Sequence, residues 1–177
     1  MVKNSVTIQG DPAITFQILT DFPKYLEWYP ECEQISVASS TDNSSDVNLQ
    51  LGGMKVARMV MRYEYTPNTS VTYKMVSSQD LKGFEGSYKI VDNGNGSHTV
   101  NMEVELTASV PKFVTDRMMK GSLEKQAKQL VDRNARFSAA GASATGAVAS
   151  APAAAPAADA ATGVIAPKGE PARAKRP

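Results

Sequence analysis

Little in this sequence is suited to conventional side-chain chemistry. Of its 177 residues one is cysteine, Cys32, and one is histidine, His98. A lone thiol makes no intramolecular disulfide. Cys32 also has no neighbouring histidine and no glycine-rich nucleophile turn, so it reads as a small half-buried side chain. His98 follows a hairpin turn and is expected at the surface. No metal-ligand spacing is present, and the Asn-Gly repeats are hairpin turns, not a strand-to-helix loop that cradles phosphate. Neither a metal nor a cofactor is expected. Charge of neither sign is in excess, with 19 basic and 18 acidic residues, which argues against a specific nucleic-acid partner. No apolar run approaches the ~20 residues that cross a bilayer. The opening MVKNSVTIQG lacks the apolar centre of a signal peptide, so a cytoplasmic protein is expected.

What is present is enough for one domain, with 42% hydrophobic residues. The only long helical pattern runs from Pro111, suited to a first turn, to Phe137. Met119, Leu123, Ala127, Leu130 and Phe137 share one face at a 3.6-residue period. Glu124, Lys128, Asp132 and Arg136 alternate in sign on the other. A helix of that length, roughly 40 Å at ~1.5 Å per residue, needs a large apolar partner.

The preceding chain supplies a sheet. After a first strand near Val2–Ile8, Asp11-Pro12 signals a helix start, and Ala13–Thr20 is expected to bury Ile14, Phe16, Ile18 and Leu19. Phe22–Pro30 packs Phe22, Tyr25, Leu26, Trp28 and Tyr29 into a second short helix or turn. Strands then follow with turn signals between them, about seven in all, as in an antiparallel meander. In the clearest, Lys55–Tyr65, Ala57, Met59, Met61, Tyr63 and Tyr65 face one way and Arg58, Arg62 and Glu64 the other. Val71, Tyr73 and Met75 repeat the pattern, as do Phe84, Gly86, Tyr88 and Ile90, then Val100, Met102, Val104 and Leu106. Gly52-Gly53 and Asn93-Gly94-Asn95-Gly96 mark turns. From Ser138 the chain becomes Ala-, Pro- and Gly-rich, and residues 138–177 read as a disordered tail. Its four cations, Lys168, Arg173, Lys175 and Arg176, against Asp159 and Glu170 give it +2 and leave −1 for the part before it.

The inner face of this sheet is a wall of Met59, Met61, Tyr63, Tyr65, Tyr73, Met75, Tyr88 and Met102, with Met118 and Met119 facing it from the helix. Such a wall is either plain core or the lining of a cavity. Methionine adapts to irregular apolar ligands, and a tyrosine hydroxyl orients one polar group. Extended to Leu49, Leu51, Phe84, Leu123 and the aromatics Trp28 and Tyr29, these residues form the candidate ligand-binding set. Trp28 and Tyr29 are read as exposed, either lining a cavity mouth or pointing outward to a membrane or protein.

The run Ile8-Gln9-Gly10-Asp11-Pro12, then Ile18-Leu19-Thr20-Asp21-Phe22-Pro23-Lys24-Tyr25-Leu26-Glu27-Trp28-Tyr29-Pro30, resembles the N-terminal signature of the SRPBCC (START-like) superfamily. The similarity is to its polyketide cyclase/dehydrase and coenzyme Q-binding branch. Leu81-Lys82-Gly83-Phe84-Glu85-Gly86-Ser87-Tyr88 is similar to the middle strand pair of these proteins, and the likeness spans residues 2–137. It implies an α+β helix-grip fold, a bent sheet wrapped around the C-terminal helix with two short helices closing one end of a deep apolar cavity. Three functions are then open. The first is binding or transport of a lipid, isoprenoid quinone or polyketide-like molecule. The second is a cyclase/dehydratase with no assigned catalytic residue, for which Tyr63, Tyr73, Tyr88, Arg58 and Arg62 are weak candidates; plain alternation points both arginines away from the cavity. The third is an interaction module acting through surface and tail, in transient contact with membrane or protein. The sequence carries no signal of oligomeric state.

Overall fold

A computed structural model of the chain describes residues 1–52 and 57–145. Gly53 of the expected turn, the first residues of the strand expected from Lys55, and residues 146–177 of the expected tail lie outside them. The order is β1 (Val2–Gln9), α1 (Pro12–Thr20), a 3-10 helix (Phe22–Glu27), β2 (Cys32–Ser40), β3 (Ser44–Leu51), β4 (Ala57–Thr66), β5 (Ser70–Ser78), β6 (Gly83–Asp92), β7 (Ser97–Thr107) and α2 (Lys112–Thr145). The seven strands form one antiparallel sheet in the order β1-β7-β6-β5-β4-β3-β2. Only β1 departs from a meander, pairing with β7 from Val2 opposite Val104 to Gln9 opposite Ser97. Helix α2 lies against β1, β7 and α1, as a helix gripped by a sheet does, and it continues past Phe137 to Thr145.

Local chemistry places these elements. The Asp11 carboxylate caps α1 by accepting from the Ala13 amide at 2.8 Å. Gly94 and Gly96 take φ of 73° and 76° in the β6–β7 hairpin, a region costly to residues bearing a Cβ. Period-2 alternation survives throughout β4, so Met59, Met61 and Tyr63 are buried while Arg58, Arg62 and Glu64 are exposed. The register shifts between Val60 and Met61 against β5, leaving Val76 as the extra residue. The bulge therefore lies on β5, and it does not bring Arg58 or Arg62 inward. Arg58 Nε donates to Gln50 Oε1 at 3.0 Å, and Arg62 clasps Asp46 through Nε and Nη2 at 2.8 and 2.9 Å, all on the outer face.

Four expectations are corrected. His98 is fully buried, not a surface residue. It stands at the junction of β7, α1 and α2, where its Nδ1 donates to the Gly10 carbonyl at 3.0 Å and its Nε2 lies 2.7 Å from Thr15 Oγ1. Thr15 also meets Asn134 Oδ1 at 2.8 Å, and Asn134 Nδ2 donates to the Leu130 carbonyl at 2.8 Å. A buried network of this kind survives because each polar group finds a partner. Second, α1 buries Thr15, Ile18 and Leu19, whereas Ile14 and Phe16 are half-buried, because the face turned to α2 carries the network. Third, Leu26 is exposed; the tight 3-10 turn points it away from the core. Fourth, Trp28 and Tyr29 are buried, at 4% and 9% exposure, so they do not project together from the surface. His98→Ala is expected to cost about 2 kcal/mol in chemical denaturation, because it orphans the Gly10 carbonyl and Thr15. A surface histidine would change stability by less than about 0.5 kcal/mol.

Candidate functional site

The inner face is filled along most of its length by aromatic rings. Phe22 meets Tyr63 at 4.6 Å between centroids, and Tyr73 lies 5.7 Å from Tyr63, 5.8 Å from Phe84 and 5.6 Å from Tyr88. Tyr25 stacks edge-on to Trp28 and donates its hydroxyl to the Leu19 carbonyl. Tyr73 crosses to β6 over Gly86, where a Cβ would sit 2.4 Å from the phenol oxygen. The space a glycine leaves in this strand is thus occupied by a tyrosine.

The filling stops where α2 begins. Between its first turns and the sheet lies a recess of about 350 Å³, at the small end of ligand-pocket sizes. Its apolar wall is Tyr29, Leu51, Tyr73, Phe84, Val104, Met119 and Leu123, with the partly exposed Met118 at its edge. Small residues keep it open: a Cβ on Gly121, which lines it, would meet nothing within 4 Å. A wider hollow of about 890 Å³ lies elsewhere, where Leu26, Ile35, Val60 and the candidate residues Leu49 and Met59 share the wall with polar side chains such as Glu33, Gln50 and Arg58. Size does not decide between them. The wider hollow mixes polar and apolar side chains and is more open, whereas the smaller one is more enclosed and more uniformly apolar, so an apolar molecule gains more burial there.

Of the candidate ligand-binding residues, Tyr29, Leu51, Tyr73, Phe84, Met118, Met119 and Leu123 meet at the recess. Trp28, Leu49, Met59, Met61, Tyr63, Tyr88 and Met102 stand in the buried core, with Met75 packed against it. Tyr65 sits at another edge, its ring perpendicular to Phe16 and its hydroxyl bonded to Ser45. The recess adds polar residues that the sequence reading passed over: Glu31, Arg117, Ser122, Lys125 and Gln126. Gln126 had a legible signal, being a polar residue beside Leu123, Ala127 and Leu130 on the apolar stripe. It accepts from the Tyr88 hydroxyl at 2.9 Å and donates to Ser122 at 3.2 Å. The Tyr88 ring packs against Tyr73, a wall of the recess, so the polar pair Tyr88–Gln126 joins the core to the recess wall.

Burial holds the phenols of Tyr25, Tyr29, Tyr63, Tyr73 and Tyr88 above their ordinary pKa, and the charge of Glu31 adds to the effect at Tyr29 and Tyr88. These phenols are neutral donors at physiological pH, not phenolates. Burial likewise pushes the Cys32 thiol up to about 11, which keeps it unreactive. Among the described residues, no group of three or more His, Cys, Asp or Glu gathers to hold a metal, and no helix is long and apolar enough to cross a membrane.

This arrangement matches a known family. The family described as polyketide cyclase/dehydrase and lipid transport matches residues 1–136. The chain belongs to that family. None of the curated proteins matches the sequence significantly. Among solved structures, this polyketide cyclase/dehydrase and lipid-transport fold is similar to a START superfamily protein from Mycobacterium smegmatis. That match has 19% identity and a TM-score of 0.66, covering 77% of this chain and 97% of the other. The Zhui aromatase/cyclase from a Streptomyces species aligns at 12% identity and TM-score 0.63, over 83% and 98%. A STAR-related lipid transfer protein from Xanthomonas axonopodis aligns at 13% and 0.59, over 75% and 84%. These identities speak to the fold, which is the START-like helix grip.

Proposed function

We propose that this protein binds and carries a hydrophobic small molecule, of the lipid, isoprenoid-quinone or polyketide-like kind, between the start of α2 and the sheet. The observation that carries the reading is the recess itself, walled by aromatic and methionine side chains where the rest of the inner face is packed. The family description, which names lipid transport beside cyclase and dehydrase activity, supports it. Phe113, 75% exposed one turn before Arg117, together with Val110, fits a transient membrane or protein contact during ligand delivery. A cytoplasmic location accords with this role.

A cyclase/dehydratase reading needs a proton-transfer group at the recess. Phenols held neutral by burial make poor bases, and Arg58 and Arg62 stand on the outer face, so carriage is the better-supported function.

The test is native mass spectrometry of the full chain purified from a cellular host, followed by organic extraction. The wild type is expected to retain a defined apolar molecule. Met119→Arg, which places a cation in the recess wall, is expected to lose it. Gly121→Leu fills open space without a clash and favours helix; it should remove the ligand while leaving the thermal midpoint equal or higher. Retention of the same molecule by both folded variants would refute the assignment.

A further inference from the structure

One residue that lines the recess, Glu31, carries a buried polar atom with no partner. Glu31 follows the aromatic run Trp28-Tyr29-Pro30, and its backbone carbonyl is fixed by the Gly52 amide at 2.8 Å. Its Oε2 is buried without a hydrogen bond, while Oε1 lies 4.0 Å from Lys125 Nζ, the outer limit of an ion pair. The only other such orphan among the described side chains, Trp28 Nε1, is within the aromatic cluster and away from the recess wall. A carboxylate oxygen removed from water and left unpaired costs stability, so its retention beside the recess calls for a donor from elsewhere. The side chain keeps 22% of its surface, and a loose ion pair does not lock its torsions. A small rotation would bring Oε2 to a molecule in the recess without moving the anchored backbone.

Resting on the ligand-carrying function proposed above, we propose that the recess selects apolar molecules bearing a hydroxyl or phenol, and that Glu31 accepts the hydrogen bond from that group. Unlike an alcohol, a ligand carboxylate would place like charge beside Glu31, against the pull of Arg117 and Lys125. A plain hydrocarbon would leave Oε2 as unpaired as before. Glu31 is therefore a specificity-determining residue.

The probes are 2-naphthol, naphthalene and 2-naphthoate, ring systems of one shape, titrated into the full chain by calorimetry or fluorescence. The wild type is expected to bind 2-naphthol roughly tenfold more tightly than naphthalene, the scale of a hydrogen bond to a charged acceptor, and to bind 2-naphthoate least. Glu31→Leu should abolish the preference for naphthol, bringing the two neutral probes within about twofold, and bind naphthalene at least as tightly as the wild type. Glu31→Gln, which keeps the shape and an acceptor but not the charge, should show an intermediate preference. Equal binding of naphthol and naphthalene by the wild type, tighter binding of naphthoate, or an unchanged preference in a folded Glu31→Leu would overturn the role of Glu31 while leaving ligand binding intact. If none of the three binds to wild type or variant, the recess reading falls with it.

Discussion

Raised above pH 10, the domain is expected to unfold in one steep transition, with phenolate absorbance appearing at the same pH as loss of secondary structure. The unperturbed phenol titrates near 10.0, and five tyrosines, Tyr25, Tyr29, Tyr63, Tyr73 and Tyr88, are held above that value, first by burial and then by one another or by Glu31. The folded state keeps these protons after the unfolded chain has released them. Stability is therefore fully present below the unfolded pKa and falls as pH rises through the window up to the folded values. Each phenol that titrates only on unfolding contributes a slope of about 1.4 kcal/mol per pH unit. Five together would exhaust a typical folding free energy of about 5–15 kcal/mol within one or two pH units. Phenolate titration of most tyrosines with secondary structure intact would show that the aromatic interior is wet and contradict the packing described.

Gly86→Ala is expected to cost about 3 kcal/mol, at the upper end of overpacking effects. A Cβ at this position would lie 2.3 Å from the Glu103 carbonyl oxygen and 2.4 Å from the Tyr73 hydroxyl. The tyrosine has torsions with which to retreat, but the neighbouring strand's carbonyl is fixed by the sheet. The substitution must therefore shift β6 against β7 as well as displace the ring. In a double-mutant cycle, Tyr73→Ala should relieve only part of the cost, since the backbone clash persists. Displacing Tyr73 also disturbs its ring contact with Tyr88 and a wall of the recess, so ligand retention should fall with stability. A Gly86→Ala protein with wild-type denaturation and ligand content would mean that this strand has room to spare.

The two faces of the sheet and the stripe of α2 were legible because both periods are local properties of the chain. Met59, Met61 and Tyr63 alternate with Arg58, Arg62 and Glu64 whatever lies across from them, and the bulge at Val76 falls on the neighbouring strand. Asp11-Pro12 and Asn93-Gly94-Asn95-Gly96 carry their own turn and cap chemistry. Other features depend on distances between segments far apart in sequence. Whether an inner-face side chain is core or lining is set by how closely α2 approaches the sheet, which is why Met61 is packed and Met119 borders a hollow. His98 looked like a hairpin residue because its partners, Gly10, Thr15 and through it Asn134, arrive from the turn after β1, from α1 and from α2. Glu31 was passed over because nothing in the residues next to it marks a recess, and only the fold brings it beside Tyr29, Leu51 and Lys125. Local periodicity thus determined the architecture and the apolar character of the interior. The tertiary structure decided where that interior stays open and which polar side chains border the opening, since both depend on the gap left when a helix with Gly121 and Ser122 near its start crosses a sheet already filled with rings.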